Sequence, residues 1–173
     1  MRILGVDPGL TVGLAIIEYR EERGSWRCLK RWDYRPDVED RGEALSRLAT
    51  VVNTNIADYR CLAVAMEEML AYRQASADEK VEAQAIVKLT AYQKRLPLHT
   101  YAPATVRSVV CGTGRADPKG VRDTLRFLLR MPKRAKKGEG LSPHQQDAVS
   151  VALCHLKQDA GLQVLDRCEE VGE

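Results

Sequence analysis

The sequence predicts a mixed α/β domain, a five-stranded mixed sheet with helices on both faces. Three observations point there. The chain opens with three short apolar or β-branched runs separated by turn residues. After residue 40 the pattern changes to segments of helical spacing that alternate with short apolar runs. The 173 residues are 45% hydrophobic and 29% charged, enough for one packed core in a single domain.

The elements follow in order. Residues 2–6 (RILGV) form an apolar run stopped by Asp7-Pro8-Gly9, the pattern of a buried strand ending in a tight turn. Residues 13–19 (GLAIIEY) and 26–33 (WRCLKRWD) read as two further strands, with Glu21–Gly24 as the hairpin turn between them. From residue 41 to 52, Leu45, Leu48, Ala49 and Val52 recur at helical spacing. Residues 62–66 (LAVAM) return to strand character and stop at Glu67-Glu68. Ser76 with Glu79 fits a capping box for a helix running to about residue 95, before Pro97. Residues 98–101 form a brief strand. Asp117 then reads as an N-cap with Pro118 at the first helical position, opening a helix to residue 130. Residues 133–140 (KRAKKGEG) read as a basic loop, and Ser142-Pro143 opens a last helix that turns Ala148, Val151 and Ala152 inward. The expected order is β-β-β-α-β-α-β-α-α. The domain is placed at residues 1–158, with 159–173 as a mobile acidic tail.

Composition excludes several classes. No apolar run approaches the roughly 18 residues of a membrane span. The start, MRILGVDPG, turns polar too early for a signal peptide, so a cytoplasmic location is expected. Five cysteines with no CxxC pair read as reduced, packed thiols and give a zinc knuckle no support.

The formal charge of +3 hides an asymmetry. Residues 107–137 hold ten Lys or Arg against two acids, while the rest holds 17 against 22. Within this block Lys119, Arg122, Arg126 and Arg130 fall within about 80° of one another on a helical wheel. Val121, Leu125 and Leu128 lie opposite. A basic stripe of one sign is suited to a polyanion, whereas a merely solvated helix usually mixes signs.

Three carboxylates stand out by position. Asp7 ends the first strand, Glu67 the fourth, and Asp147 lies three residues after His144, on the same helix face. If the first and fourth strands are neighbours, these groups converge. Clustered carboxylates repel unless a cation or proton neutralises them. Hard oxygen ligands suit Mg²⁺ or Mn²⁺, and a pair of such ions can stabilise both the attacking and leaving oxygens at phosphorus. Taken singly, each has a plainer reading: Asp7 as a turn former, Glu67 or Glu68 as a solvated strand end, Asp147 as a salt-bridged surface residue, His144 as an exposed imidazole.

The opening RILGVDPGLTVGLAI resembles the first strand and hairpin of RuvC-type Holliday junction resolvases, within the ribonuclease H-like superfamily. LAVAMEEM at 62–69, APATVRSVVCGTGRADPK at 102–119 and SPHQQDAVSVALCH at 142–155 are similar to later segments of that family, in the same order. The resemblance spans most of residues 1–156. It implies a ribonuclease H-like fold in which Asp7, Glu67, His144 and Asp147 are the catalytic metal ligands, with His144 where many members carry Asp. It implies that Arg107 and Lys119 are catalytic cations beside the scissile strand, and that Arg115, Arg122 and Arg126 contact the DNA backbone. At the family's stacking aromatic the chain has Leu70, with Tyr72 two residues on, and both are assigned to DNA contact. The family's Gly- and Arg-containing stretch reads here as KVEAQAIVKL at 80–89.

The implied activity is a crossover junction endodeoxyribonuclease that uses Mg²⁺ or Mn²⁺, with two ions per site. A metal-activated water attacks the phosphodiester, and paired symmetric nicks leave 5′-phosphate and 3′-hydroxyl ends. The implied partners are four-way junction DNA, a second copy in a homodimer, and a branch-migration helicase. Rival readings are a same-fold nuclease acting on flaps, other branched DNA or structured RNA, and a non-catalytic nucleic-acid-binding module. An actin-like ATPase also opens with Asp and Gly after a first strand, but this chain is too short for two such lobes.

Overall fold

Alternation along the central strands decides the architecture. In β1 (Arg2–Asp7), β2 (Val12–Arg20) and β4 (Ala63–Glu67), apolar side chains leave both faces of the sheet. Successive strand residues point to opposite faces, so such a run must be covered twice. Ile3, Ala15, Ile17, Ala63 and Ala65 form one core with α3 (Pro103–Cys111), α4 (Pro118–Leu128) and α5 (Pro143–Ala160). Leu4, Val6, Leu14, Ile16, Val64 and Met66 form the other with α1 (Arg41–Tyr59) and α2 (Ala77–Gln93). The computed structural model describes residues 1–68, 77–131 and 140–161.

The remaining strands are β3 (Ser25–Tyr34) and β5 (Leu98–Tyr101), and the five-stranded sheet has the order β3-β2-β1-β4-β5. β1 pairs antiparallel with β2 and parallel with β4, and β4 pairs parallel with β5. The first and fourth strands are therefore neighbours. The predicted hairpin turn is a single 3₁₀ turn, Glu21–Arg23, closed by Gly24 at φ +56°.

α5 is the hub. From Ala148 to Leu156 every residue is buried between the sheet and the helices α3 and α4. Two glycines let its backbone lie directly on the sheet. A Cβ on Gly5 would fall 2.1 Å from the Ala148 carbonyl oxygen, and one on Gly13 would fall 2.0 Å from that of His144. Ser142 caps the helix: its Oγ accepts from the Gln145 N–H at 3.0 Å and donates to Asp33 Oδ1 at 2.7 Å.

Two elements differ from expectation. α3 lies where the sequence showed only a basic segment. Thr105, Val106, Val109 and Val110 are poor helix formers and Ala102 offers no side-chain cap. The helix forms because Val106 and Val110, four apart, bury against α5. α1 runs to Tyr59 rather than 52, because Ile56 continues the buried row past the polar Asn53-Thr54, and Arg60 closes it at φ +50°. Asp117 caps α4 as expected, accepting from the Gly120 N–H at 2.6 Å. Ser76, Leu70, Tyr72, most of the basic loop at 133–140 and the tail from 162 lie outside the described residues. Among the described residues no helix is long and apolar enough to cross a membrane.

Candidate metal centre and active site

The face of the sheet covered by α5 collects the acids. Alternation along β1 puts Ile3, Gly5 and Asp7 on one side, and along β4 it puts Ala63, Ala65 and Glu67 on that same side. The register pairs Val6 with Met66, so the next rung sets Asp7 beside Glu67. The same alternation sends Glu68 the other way, and it is exposed. α5, seated on Gly5 and Gly13, lowers Asp147 onto this rung from its second turn. One carboxylate oxygen from each of Asp7, Glu67 and Asp147 lies within 4.8 Å of the others.

His144 touches this trio only at its edge. Its Nδ1 lies 2.8 Å from Asp7 Oδ2, and its ring nitrogens are not part of the set within 4.8 Å. Nε2 is the nitrogen left for another partner.

Electrostatics follow from packing three acids into a half-buried corner. Burial, then the charges of Asp147 and Asp7, push the Glu67 carboxyl up to about 8. Burial and the charge of Asp7 push Asp147 up to about 6. Asp7 is raised by burial, opposed by the His144 hydrogen bond. Burial and mutual repulsion raise all three carboxyls, and such a cluster is a site that a cation would relieve.

Two cations moderate this repulsion. Arg107, exposed on α3, lowers both Glu67 and Asp147. It lines a cleft of about 320 Å³ with Glu67, Asp147, Gln146 and Pro118. The second is Lys80 of α2, whose charge reaches Asp7, Glu67 and Asp147 alike. The sequence reading passed over Lys80, because on a helical wheel it is one more charge in a mixed-sign segment. Only the packing of α2 beside the end of β4 singles it out, through Gln84 Nε2 donating to the Glu67 carbonyl at 3.2 Å.

The other predicted residues are placed as follows. Lys119 is exposed in the first turn of α4, next to Pro118 at the cleft wall. Arg115 is exposed in the preceding loop. Arg122 is exposed and lies 3.8 Å from Asp123, and Arg126 is half-buried one turn on. Val121, Leu125 and Leu128 are buried opposite.

Two neighbouring parallel strands that each end in a carboxylate, with a third delivered by a helix across the same face, define an acidic centre on a ribonuclease H-like fold. Within that class, the family model for crossover junction endodeoxyribonuclease RuvC matches residues 3–155, and the chain belongs to the RuvC family. The RuvC of Ruegeria pomeroyi is 33% identical over 157 residues, covering 90% of each chain. That of Citrifermentans bemidjiense is 31% identical over 171 residues, covering 95% of this chain and 97% of the relative. Among solved structures, Thermus thermophilus RuvC in complex with a Holliday junction substrate superposes with a TM-score of 0.80 at 26% identity. It covers 94% of this chain and 97% of that one.

Proposed function

We propose that this protein is a metal-dependent endonuclease that resolves four-way DNA junctions by paired symmetric nicks, leaving 5′-phosphate and 3′-hydroxyl ends. The observation that carries the reading is the convergence of Asp7, Glu67 and Asp147, brought from three distant segments to within 4.8 Å. Family membership and the junction-bound relative support the substrate.

The donor set fits a hard divalent cation: three carboxylate oxygens that repel one another until positive charge joins them. Asp7, Glu67 and Asp147 would hold Mg²⁺ or Mn²⁺, as one ion or two. Such ions supply a nucleophile at neutral pH and charge stabilisation at phosphorus. His144 orients Asp7 through Nδ1 and has Nε2 to offer a metal or, as a proton donor, the departing 3′-oxygen. Arg107 offsets charge developing at phosphorus from the α3 side. Lys119, Arg115, Arg122 and Arg126 contact the DNA backbone on the flank of the cleft.

A homodimer accounts for two symmetric nicks. α2 supports it. Its inner row Ala83, Val87 and Ala91 is buried, yet Val81, Leu89 and Tyr92 are 51%, 51% and 82% exposed on its outer side. Such a stripe fits a second copy of the same helix. A helicase partner rests on the family resemblance alone.

The test incubates the protein with a mobile four-way junction, a flap, a duplex and a structured RNA, each with Mg²⁺, Mn²⁺ or chelator. Cutting confined to the junction and to the metal-containing arms is expected. Asp7→Asn is expected to keep junction binding and abolish cutting. Full activity of Asp7→Asn in Mg²⁺ removes Asp7 from the site, and equal cutting of all substrates overturns junction specificity.

A further inference from the structure

We propose that Lys80 is a second substrate-contacting cation of this centre, meeting a phosphate of the cleaved strand on the α2 side, across the acidic cluster from Arg107. The proposal rests on the nuclease reading above.

Three features of the structure place the side chain. Gln84 donates to the main chain of Glu67, and Lys80 lies one helical turn earlier on the same face of α2. Helical side chains lean towards the N-terminus, so Lys80 reaches past the end of β4 into the space in front of the carboxylates. Its stem runs along the turn that follows Asp7: a Cβ added to Gly9 would sit 4.0 Å from Lys80 Cε. That is ordinary van der Waals distance, which puts the end of the Lys80 stem beside this turn.

The charge balance argues for a role beyond shielding. Lys80 is half-buried, and among the described residues it forms no ion pair of its own. Its neighbour on α2, Glu82, is tied instead to Arg41. An ammonium poised near three carboxylates without closing on any of them is free to turn to a different anion. Once divalent cations neutralise the cluster, the attraction holding Lys80 inward falls and a phosphate becomes its best partner. A lysine suits this, being a compact charge on a flexible stem. Arg107 approaches from α3, so the two cations bracket the strand lying across the acids.

The experiment compares Lys80→Gln and Lys80→Arg with the unsubstituted chain. Junction binding is measured against salt in an Asp7→Asn background, so that cutting does not interfere. Single-turnover cutting is measured against Mg²⁺ concentration with Asp7 intact. A phosphate contact predicts that Lys80→Gln flattens the salt slope by about one unit. It also predicts a loss of ten-fold or more in the rate at saturating Mg²⁺, substantial rescue by Lys80→Arg, and a half-saturating Mg²⁺ concentration changed less than two-fold. An unchanged slope with a lowered Mg²⁺ requirement would mean that Lys80 only shields the empty cluster, and overturns the proposal. So does wild-type cutting by Lys80→Gln. If the unsubstituted chain cuts no nucleic acid, the nuclease reading fails by itself, and the salt slope still reports whether Lys80 meets a phosphate.

Discussion

Glu67 sits in a marked electrostatic conflict, and its consequences are measurable without any substrate. Its carboxyl is pushed from an ordinary value near 4.5 to about 8 by burial and by Asp147 and Asp7. An acid raised on folding binds its proton more tightly in the folded than in the unfolded chain. The stability this provides is present below the unfolded value and is lost as pH climbs through the folded one. In chelator, the melting temperature is therefore expected to fall as pH rises from about 5 to about 8. Asp147, raised to about 6, adds to the lower part of that window. Glu67→Gln removes one charge from the cluster and is expected to flatten the decline and raise the melting temperature near pH 8. Added Mg²⁺ is expected to do the same for the unsubstituted chain. Thermal melts across this range, with and without chelator, check all three, and a Glu67→Gln curve parallel to the original defeats the account. This residue also marks how far sequence alone reaches. The apolar run LAVAM showed that a carboxylate ends a strand, but the choice of Glu67 over Glu68 came from family resemblance. Its physical reason needs the pairing of Val6 with Met66 and the face on which Asp7 lies.

At the scale of elements, α4 was legible almost whole. Its cap, its first-turn proline, its buried row and its basic row are local properties of the stretch from Asp117 to Leu128. The helix opens at the cleft beside Pro118 and rises roughly 1.5 Å per residue, so Arg126 stands about 12 Å along the axis from the acids' side. That reach spans one or two phosphates of a strand leaving the cleft. Replacing Arg122 and Arg126 together by alanine is expected to reduce the salt slope of junction binding by up to about 2, with a smaller effect on the rate at saturating DNA. An unchanged slope would mean that this face does not meet the DNA. α3 was illegible for the opposite reason: its β-branched valines disfavour a helix locally, and only burial against α5 selects one. Lys80 was hidden likewise, since its significance lies in where α2 docks. The seating of α5 on Gly5 and Gly13 is a third case, because a close backbone approach leaves no periodic signal.

On the scale of the whole molecule, the fold separates two tasks by sheet face. The α5 side holds the acids, Arg107 and the basic helix, whereas α1 and α2 cover the other side. α2 belongs to both tasks: its start sends Lys80 to the acids, and its outer side leaves Val81, Leu89 and Tyr92 in solvent. A helix that is apolar on two sides usually has a partner on each. If that partner is a second copy, dimerisation and paired cutting share one element, and breaking the stripe should uncouple the two nicks without touching the chemistry. Leu89→Glu with Tyr92→Glu places like charges against their symmetry mates, and light scattering after size exclusion is expected to show the mass falling from two chains to one. A supercoiled plasmid extruding a cruciform reads the consequence. Paired cuts within one binding event give linear product. A single nick relaxes the plasmid, the cruciform is reabsorbed and nicked circles remain. The substituted protein is expected to shift the product from linear to nicked circles while keeping its dependence on Mg²⁺ and on Asp7. Persistence of the two-chain mass, or of linear product at protein concentrations where only single chains exist, would place the dimer contact elsewhere.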